Sequence, residues 1–217
     1  MSAHSREQIL ADVEAYCQEL RPIEELCYVE HRYNDQTIEL ARKHNLLGIP
    51  VPVKYGGRGA DALTYARSLA RIGREGTGVR TFFSGQTSIG QYPIMRSGNE
   101  DQRQRYLPAS CRGEKILAFG LTEPDAGSNP LELTSTYRRS GDKFLLNGVK
   151  YLISNGGIAD AVVCFAYVRV VVAGGWSAGL LVATRAPWPL RPDWRPLAIT
   201  AAGVVSGGSL LTSVAMR

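Results

Sequence analysis

The sequence has 217 residues, 44% of them hydrophobic and 21% charged, usage that supports a packed core and argues against wholesale disorder. Twenty-five Lys and Arg against 20 Asp and Glu give a net charge of +5, spread along the chain with no basic run and no basic–aromatic interleaving, so nucleic-acid binding is not indicated. The four cysteines form no C-x-x-C pair and no metal-ligand spacing with His4, His31 or His44, and MSAHSREQ has no apolar signal core. Free thiols, no metal and a reduced cytoplasm are therefore expected.

In chain order, Ser5 followed by Gln8 is a capping-box pattern, and Ile9, Val13, Tyr16, Cys17 and Leu20 then recur at helical spacing. Pro22 is expected to break that helix or open the next. A second periodic segment, residues 35–45, sets Ile38, Ala41 and Leu46 on one face and ends before Pro50 and Pro52. Residues 54–59 read as a loop, after which Asp61 caps a helix running through Leu63, Ala66, Leu69, Ala70 and Ile72 to Gly73. Two more helices are expected over residues 81–95, with Pro93 near the end, and residues 99–107.

From about Ile116 the apolar residues fall into short blocks bounded by Gly, Asn and Asp: residues 116–120, 133–138, 144–146, 161–168, 179–183 and 209–215. These lengths suit strands. Ser140-Gly141-Asp142 and Asn147-Gly148 are turn signals, the second a strong hairpin dipeptide. The weakly polar stretch 197–216 is diluted by Gly, Ser and Thr and reads as short strands, not as a membrane span. The expected class is α+β: an all-helical domain over residues 1–115, then a β-barrel or sandwich-like domain over residues 116–217.

Two segments carry chemistry. In the first, Phe119-Gly120-Leu121-Thr122-Glu123-Pro124-Asp125-Ala126-Gly127-Ser128-Asn129, a strand delivers Thr122 to a tight turn. Pro124 prevents helix continuation and Gly127 permits a close backbone approach to something flat or charged. Exposed amides and the hydroxyls of Thr122 and Ser128 are neutral donors suited to the carbonyl and nitrogen edge of a flavin; a surface turn capped by Ser and Asp would use the same residues. In the second, running from Asn147 to Asp160, a hairpin turn is expected to feed a short strand that ends at Ser154 before Gly156-Gly157. Each pattern is weak alone, and the pair is much stronger.

L-T-E-P-D-A-G-S followed by N-G-x-K-x-x-I-S-N-G-G-x-A-D resembles the flavin-binding pattern of the acyl-CoA dehydrogenase family. Gly48-Ile49-Pro50-Val51-Pro52, Tyr55-Gly56-Gly57-Arg58-Gly59-Ala60-Asp61, Ile72-Gly73-Arg74-Glu75 and the run from Gly98 to Pro108 are similar to the family's N-terminal domain. The resemblance covers residues 41–160 and is thin after about Val168.

The resemblance implies FAD as cofactor and an acyl-CoA thioester as substrate. By position it sets Phe119, Gly120, Leu121, Thr122 and Ser128 along the isoalloxazine, with Leu121 and Thr122 bonding its pyrimidine side and Ser128 also facing the acyl-CoA. Leu152, Ile153 and Ser154 form the second wall, Ser154 near N5. The family's base removes the α-proton while the β-hydride passes to N5; it is expected beyond Arg217, in a C-terminal helical domain, so no catalytic base is assigned within the sequence. Glu123 reads as a loop or cap carboxylate, and Glu114 and Glu132 have no supporting pattern. Two residues depart from the family pattern: Leu152 stands where Trp is usual, and Asn129 where Asp is usual. An electron-accepting flavoprotein is a further implied partner. A homo-oligomer or partner-chain contact is expected at strand edges left uncovered over residues 180–182 and 210–214. Two other readings fit the same residues: a non-catalytic flavin or acyl-CoA binding subunit, and a related flavin oxidase or monooxygenase.

Overall fold

The structure, a computed structural model, describes residues 5–141, 143–168, 177–184, 199–205 and 211–212. The chain divides into two compact units, one of residues 1–95 and 100–116, the other of residues 96–99 and 117–217. The first is built from helices and the second from a mixed sheet, an α+β arrangement.

Helix α1 spans Arg6–Val29. Ser5 Oγ accepts from the Gln8 N–H at 3.1 Å, while the Gln8 amide donates to Asp12 and does not return to Ser5. Contrary to expectation, α1 runs straight through Pro22. Ile9, Val13, Tyr16, Cys17 and Leu20 before the proline and Cys27 after it are all buried, so packing on both sides holds the helix across a position that has no N–H to give.

Helix α2 (Gln36–Lys43) starts at Asp35, but the capping oxygen belongs to Asn34, which accepts from Gln36 N. Asp61 caps α3 (Ala62–Ile72) by accepting from Thr64 N at 2.7 Å. The buried face of α3 is Thr64, Ser68 and Ile72, with Leu63 left exposed. Glu75, just past α3, takes ion pairs from Arg21 on α1 and from Arg71, which also pairs with Glu14. Those bonds, Arg21 first, hold the Glu75 carboxyl down at about 2.

The single helix expected over residues 81–95 is three segments: α4 (Thr77–Ser84), a π-helical stretch Gly85–Gln91, and α5 (Tyr92–Ser97). The buried glutamines of the π-helical stretch bond to other segments. Gln86 donates to the Ser110 and Lys115 carbonyls, and Gln91 to the Leu47 carbonyl and Ser110 Oγ. Helix α6 (Glu100–Cys111) carries on past Pro108. Ile9, Val13, Tyr16, Leu20, Leu46, Leu47, Ile72, Phe82 and Phe83 belong to one core, in which Phe83 meets Tyr16 and Phe82 edge to face.

The second unit has strands β1 (Leu117–Gly120), β2 (Thr136–Ser140), β3 (Lys143–Asn147), β4 (Ala161–Val168), β5 (Ser177–Thr184), β6 (Ile199–Val205) and β7 (Leu211–Thr212). Their order is β1-β4-β2-β3-β6-β5, with β7 on β6 and β4 also bonded to β5. β1 and β2 lie parallel to β4, and the other pairs are antiparallel. The uncovered edge expected at residues 180–182 does not exist: β5 is bonded to β4 on one side and β6 on the other. Within 210–214, Leu211 and Thr212 pair with β6, and residues 210, 213 and 214 lie outside the described residues. Exposed apolar side chains among the described residues include Leu26, Tyr28, Val29 and Tyr33, at the end of α1 and just after it. Among the described residues no helix is long and apolar enough to cross a membrane. The four cysteines are free and buried; burial pushes the Cys17 thiol up to about 11 and Cys111 to about 12.

Phe83 is 1% exposed at the centre of this helical core. Phe83→Ala is expected to destabilise the chain by roughly 3–5 kcal/mol, against about 1 kcal/mol for removing the α1 cap in Ser5→Ala. Chemical denaturation followed by circular dichroism checks both.

Candidate functional site

β1 and β2 share one edge of β4. β1 occupies it along residues 161–164, and β2 takes over at Tyr167 and Val168. The chain between them, residues 121–135, is extruded where the edge changes hands. There the Glu123 N–H bonds to the Ala126 carbonyl at 2.9 Å and the Ala126 N–H to the Glu123 carbonyl at 3.2 Å, a tight turn with Pro124 and Asp125 exposed at its tip. No described atom lies within 4 Å of where a Gly127 side chain would begin, so the backbone there is open to approach from outside.

The second segment differs from its expected form. Asn147-Gly148 does not turn a hairpin; the hairpin joins β2 to β3 through Gly141. Gly148 has φ 149°, and a Cβ there would lie 2.0 Å from Ser135 Oγ. The strand expected up to Ser154 is absent, because Leu152 (φ 53°) and Asn155 (φ 63°) are left-handed, a backbone that cannot continue a ladder. For a branched residue such as Leu that conformation is strained, and strain of this kind concentrates at functional sites. It turns the Leu152 side chain outward, 78% exposed.

A buried ion pair ties the two segments together. Lys150 Nζ donates to Glu123 Oε1 at 2.7 Å and to the Leu121 carbonyl at 2.9 Å. The Glu123 carboxylate also accepts from Thr134 N, Thr134 Oγ1 and Ser135 N at 2.6 to 3.0 Å. One residue further on, Tyr151 N donates to the Thr122 carbonyl at 2.8 Å. The Lys150 stem passes over Gly120, where a Cβ would sit 3.4 Å from Lys150 Cγ. Burial by itself pushes the Glu123 carboxyl up, but the bonds from Lys150, Ser135 and Thr134 overcome it and bring the pKa down to about 2.

Of the residues singled out from sequence, Phe119 and Gly120 end β1, half-buried and buried respectively. Leu121 and Thr122 are half-buried, with carbonyls taken by Lys150 and Tyr151. Ile153 lines a cleft of about 420 Å³ together with Ser135, Leu146, Lys150 and Cys164. Ser128, Leu152 and Ser154 are exposed. The sequence reading took Glu123 for a loop or cap carboxylate, and it does lie in this loop and accept from the Thr134 and Ser135 N–H groups. What that reading missed is that the carboxylate is buried and paired with Lys150. The available signal was one acidic and one basic residue, each set among small or apolar neighbours in a different motif.

Residues 4–114 match the family model for the acyl-CoA dehydrogenase N-terminal domain, and residues 118–203 that for the acyl-CoA dehydrogenase middle domain. The chain belongs to the acyl-CoA dehydrogenase family. It is 40% identical over 148 residues to an acyl-CoA dehydrogenase of Bacillus subtilis, a match covering 68% of this chain and 39% of that protein. It is 34% identical over 149 residues to the 3-(aryl)acrylate reductase of Clostridium sporogenes, covering 69% and 40%. Among solved structures, the glutaryl-CoA dehydrogenase of Mycobacterium smegmatis in complex with FADH2 matches with a TM-score of 0.72 at 26% identity, over 96% of this chain and 54% of that one. These matches take in about two fifths of the length of the curated relatives.

Because the Glu123 pKa is lowered, its contribution to stability is fully present above the ordinary carboxylate value of 4.5 and is lost as pH falls toward about 2. Glu123→Gln is expected to flatten this part of the acid limb, read as the wild-type-minus-variant difference in denaturant midpoint across that range. Lys150→Met, which leaves a buried carboxylate uncompensated, is expected to lose roughly 3–5 kcal/mol near neutral pH.

Proposed function

We propose that this chain carries the flavin-facing and acyl-CoA-facing walls of an FAD-dependent acyl-CoA dehydrogenase. The observation that carries the reading is the tie between the two segments, Lys150 to Leu121 and Glu123 and Tyr151 to Thr122, with Ser128, Leu152 and Ser154 exposed on those segments as donors and apolar surface. The residues suit the group. Neutral amide and hydroxyl donors at Thr122, Ser128 and Ser154 match the carbonyl and nitrogen edge of an isoalloxazine, the open backbone at Gly127 admits a flat ring, and Leu152 offers an apolar face.

In this reading Phe119, Gly120, Leu121 and Thr122 line the pyrimidine side, Ser128 faces both flavin and thioester, and Leu152, Ile153 and Ser154 form the second wall. Bound FAD supplies the two-electron acceptor for α,β-dehydrogenation. The chain's own residues orient it and exclude water from one side. Glu123 is not the base: its oxygens are engaged by Lys150, Thr134 and Ser135, and a carboxylate held as an anion in this way is a poor proton acceptor. Proton abstraction is assigned to sequence outside these 217 residues, in the part of the relatives that the matches do not span. An acyl-CoA is the substrate class, an electron-accepting flavoprotein the onward partner, and a reducing cytoplasm the compartment, in keeping with four free buried thiols.

The residues assigned here wall the isoalloxazine, and none is assigned to the adenine side of FAD. FAD is therefore expected to bind the 217-residue chain weakly, quenching on titration but separating on gel filtration followed by visible flavin absorbance. Acyl-CoA oxidation by the chain with excess FAD is expected to be undetectable. Turnover of an acyl-CoA panel would place a base among these residues and overturn the assignment.

A further inference from the structure

The Lys150 ammonium touches a carbonyl as well as a carboxylate. Its bond to the Leu121 carbonyl, 2.9 Å, ends on the peptide group whose other end is the Thr122 N–H. A cation on the oxygen of an amide draws electron density from the nitrogen, and hydrogen bonds chained through a peptide strengthen one another. The charge-assisted bond is the strong member of such a chain. The ammonium is held in place by Glu123 Oε1 at 2.7 Å, and Glu123 is fixed in turn by Thr134 and Ser135. Lys150 is therefore confined to a position where it acts on one peptide.

We infer that Lys150 is a positioning residue that polarises the Leu121–Thr122 peptide, so that the Thr122 N–H is a stronger donor to a reduced flavin than to an oxidised one. This rests on the reading that Thr122 faces the pyrimidine edge, where reduction adds electron density. The Glu123 carboxylate sets the strength of the effect by partly neutralising the ammonium. The pair is close to neutral as seen from a distance, which leaves the directed bond to the Leu121 carbonyl as the route of influence. Removing Lys150 and Glu123 together should disfavour reduced flavin, whereas removing the Glu123 charge alone should favour it. A clamp that only held the fold would weaken both forms alike.

The experiment uses the 217-residue chain as wild type, as the double variant Lys150→Met with Glu123→Gln, and as Lys150→Arg and Glu123→Gln singly, with folding checked by circular dichroism. Affinities for oxidised and for dithionite-reduced FAD are measured by titration. The double variant is expected to lose about tenfold more affinity for the reduced form than for the oxidised one, equivalent to ~30 mV for a two-electron couple. Lys150→Arg, which keeps a cationic donor, is expected to keep most of the wild-type ratio, and Glu123→Gln to move it the opposite way from the double variant. If the double variant does not fold, the opposite shift in Glu123→Gln carries the test. Equal loss for both forms, or no opposite shift in Glu123→Gln, overturns the inference. Separately, in the flavin-free chain the Thr122 amide nitrogen resonance is expected to move upfield in the double variant while that of Thr64, in the helical unit, stays; an unmoved Thr122 also overturns it. If the wild type binds neither form of FAD, the functional reading fails, and the Thr122 resonance alone then decides whether the peptide is polarised.

Discussion

The Lys150 ammonium sits between the Glu123 carboxylate and the Leu121 carbonyl, 2.7 and 2.9 Å away, and the geometry of the candidate site follows from that one contact. A buried ion pair of this kind adds little net stability, because both partners give up water. What it adds is direction. The Glu123 carboxylate takes donors from Lys150, Thr134 and Ser135 together, and the Lys150 ammonium bonds the Leu121 carbonyl as well. The turn after β1 and the loop after β3, far apart in sequence, are thereby locked in register, with the Tyr151–Thr122 bond as a second fastening.

The sheet creates the need for such a fastening. β4 is paired along one edge first by β1 and then by β2, so the intervening residues have to leave the sheet and return within the span of one strand. A loop expelled in this way has no ladder to shape it, and without an internal anchor it would sample many conformations. Glu123 supplies the anchor by binding Thr134 and Ser135 on the returning limb. The opposite loop is shaped by conformation as well as by bonding: Gly148 packs against Ser135, and the left-handed Leu152 turns an apolar side chain toward solvent. Scaffold and site are thus distinct parts, a regular sheet and two short irregular loops braced against each other.

The helical unit shows the same precedence of packing over local preference. Pro22 and Pro108 lie within helices, although each removes a hydrogen bond. The residues around them bury apolar surface that a break would expose. The π-helical stretch Gly85–Gln91 is likewise held by contacts outside it, since its own Gln86 and Gln91 reach carbonyls of other segments. Local propensity predicts none of this, because the compensating groups are remote in sequence.

The sequence by itself determined the α+β class, the apolar face of α1, the caps at Ser5 and Asp61, the position of β4, and the two loop segments that the structure ties together. These are written in short-range patterns: a 3.6-residue repeat, a cap three residues from its partner, an apolar block between turn residues. Tertiary structure alone decided that α1 passes Pro22, that residues 149–154 are not a strand, that β5 is covered on both edges, and that the Glu123 carboxylate is buried against Lys150. Each of those outcomes depends on a group tens of residues away. Lys150 in particular looks like any solvent-seeking lysine until the sheet brings Glu123 and the Leu121 carbonyl to its ammonium, because a buried charge becomes favourable only when its partners arrive with it.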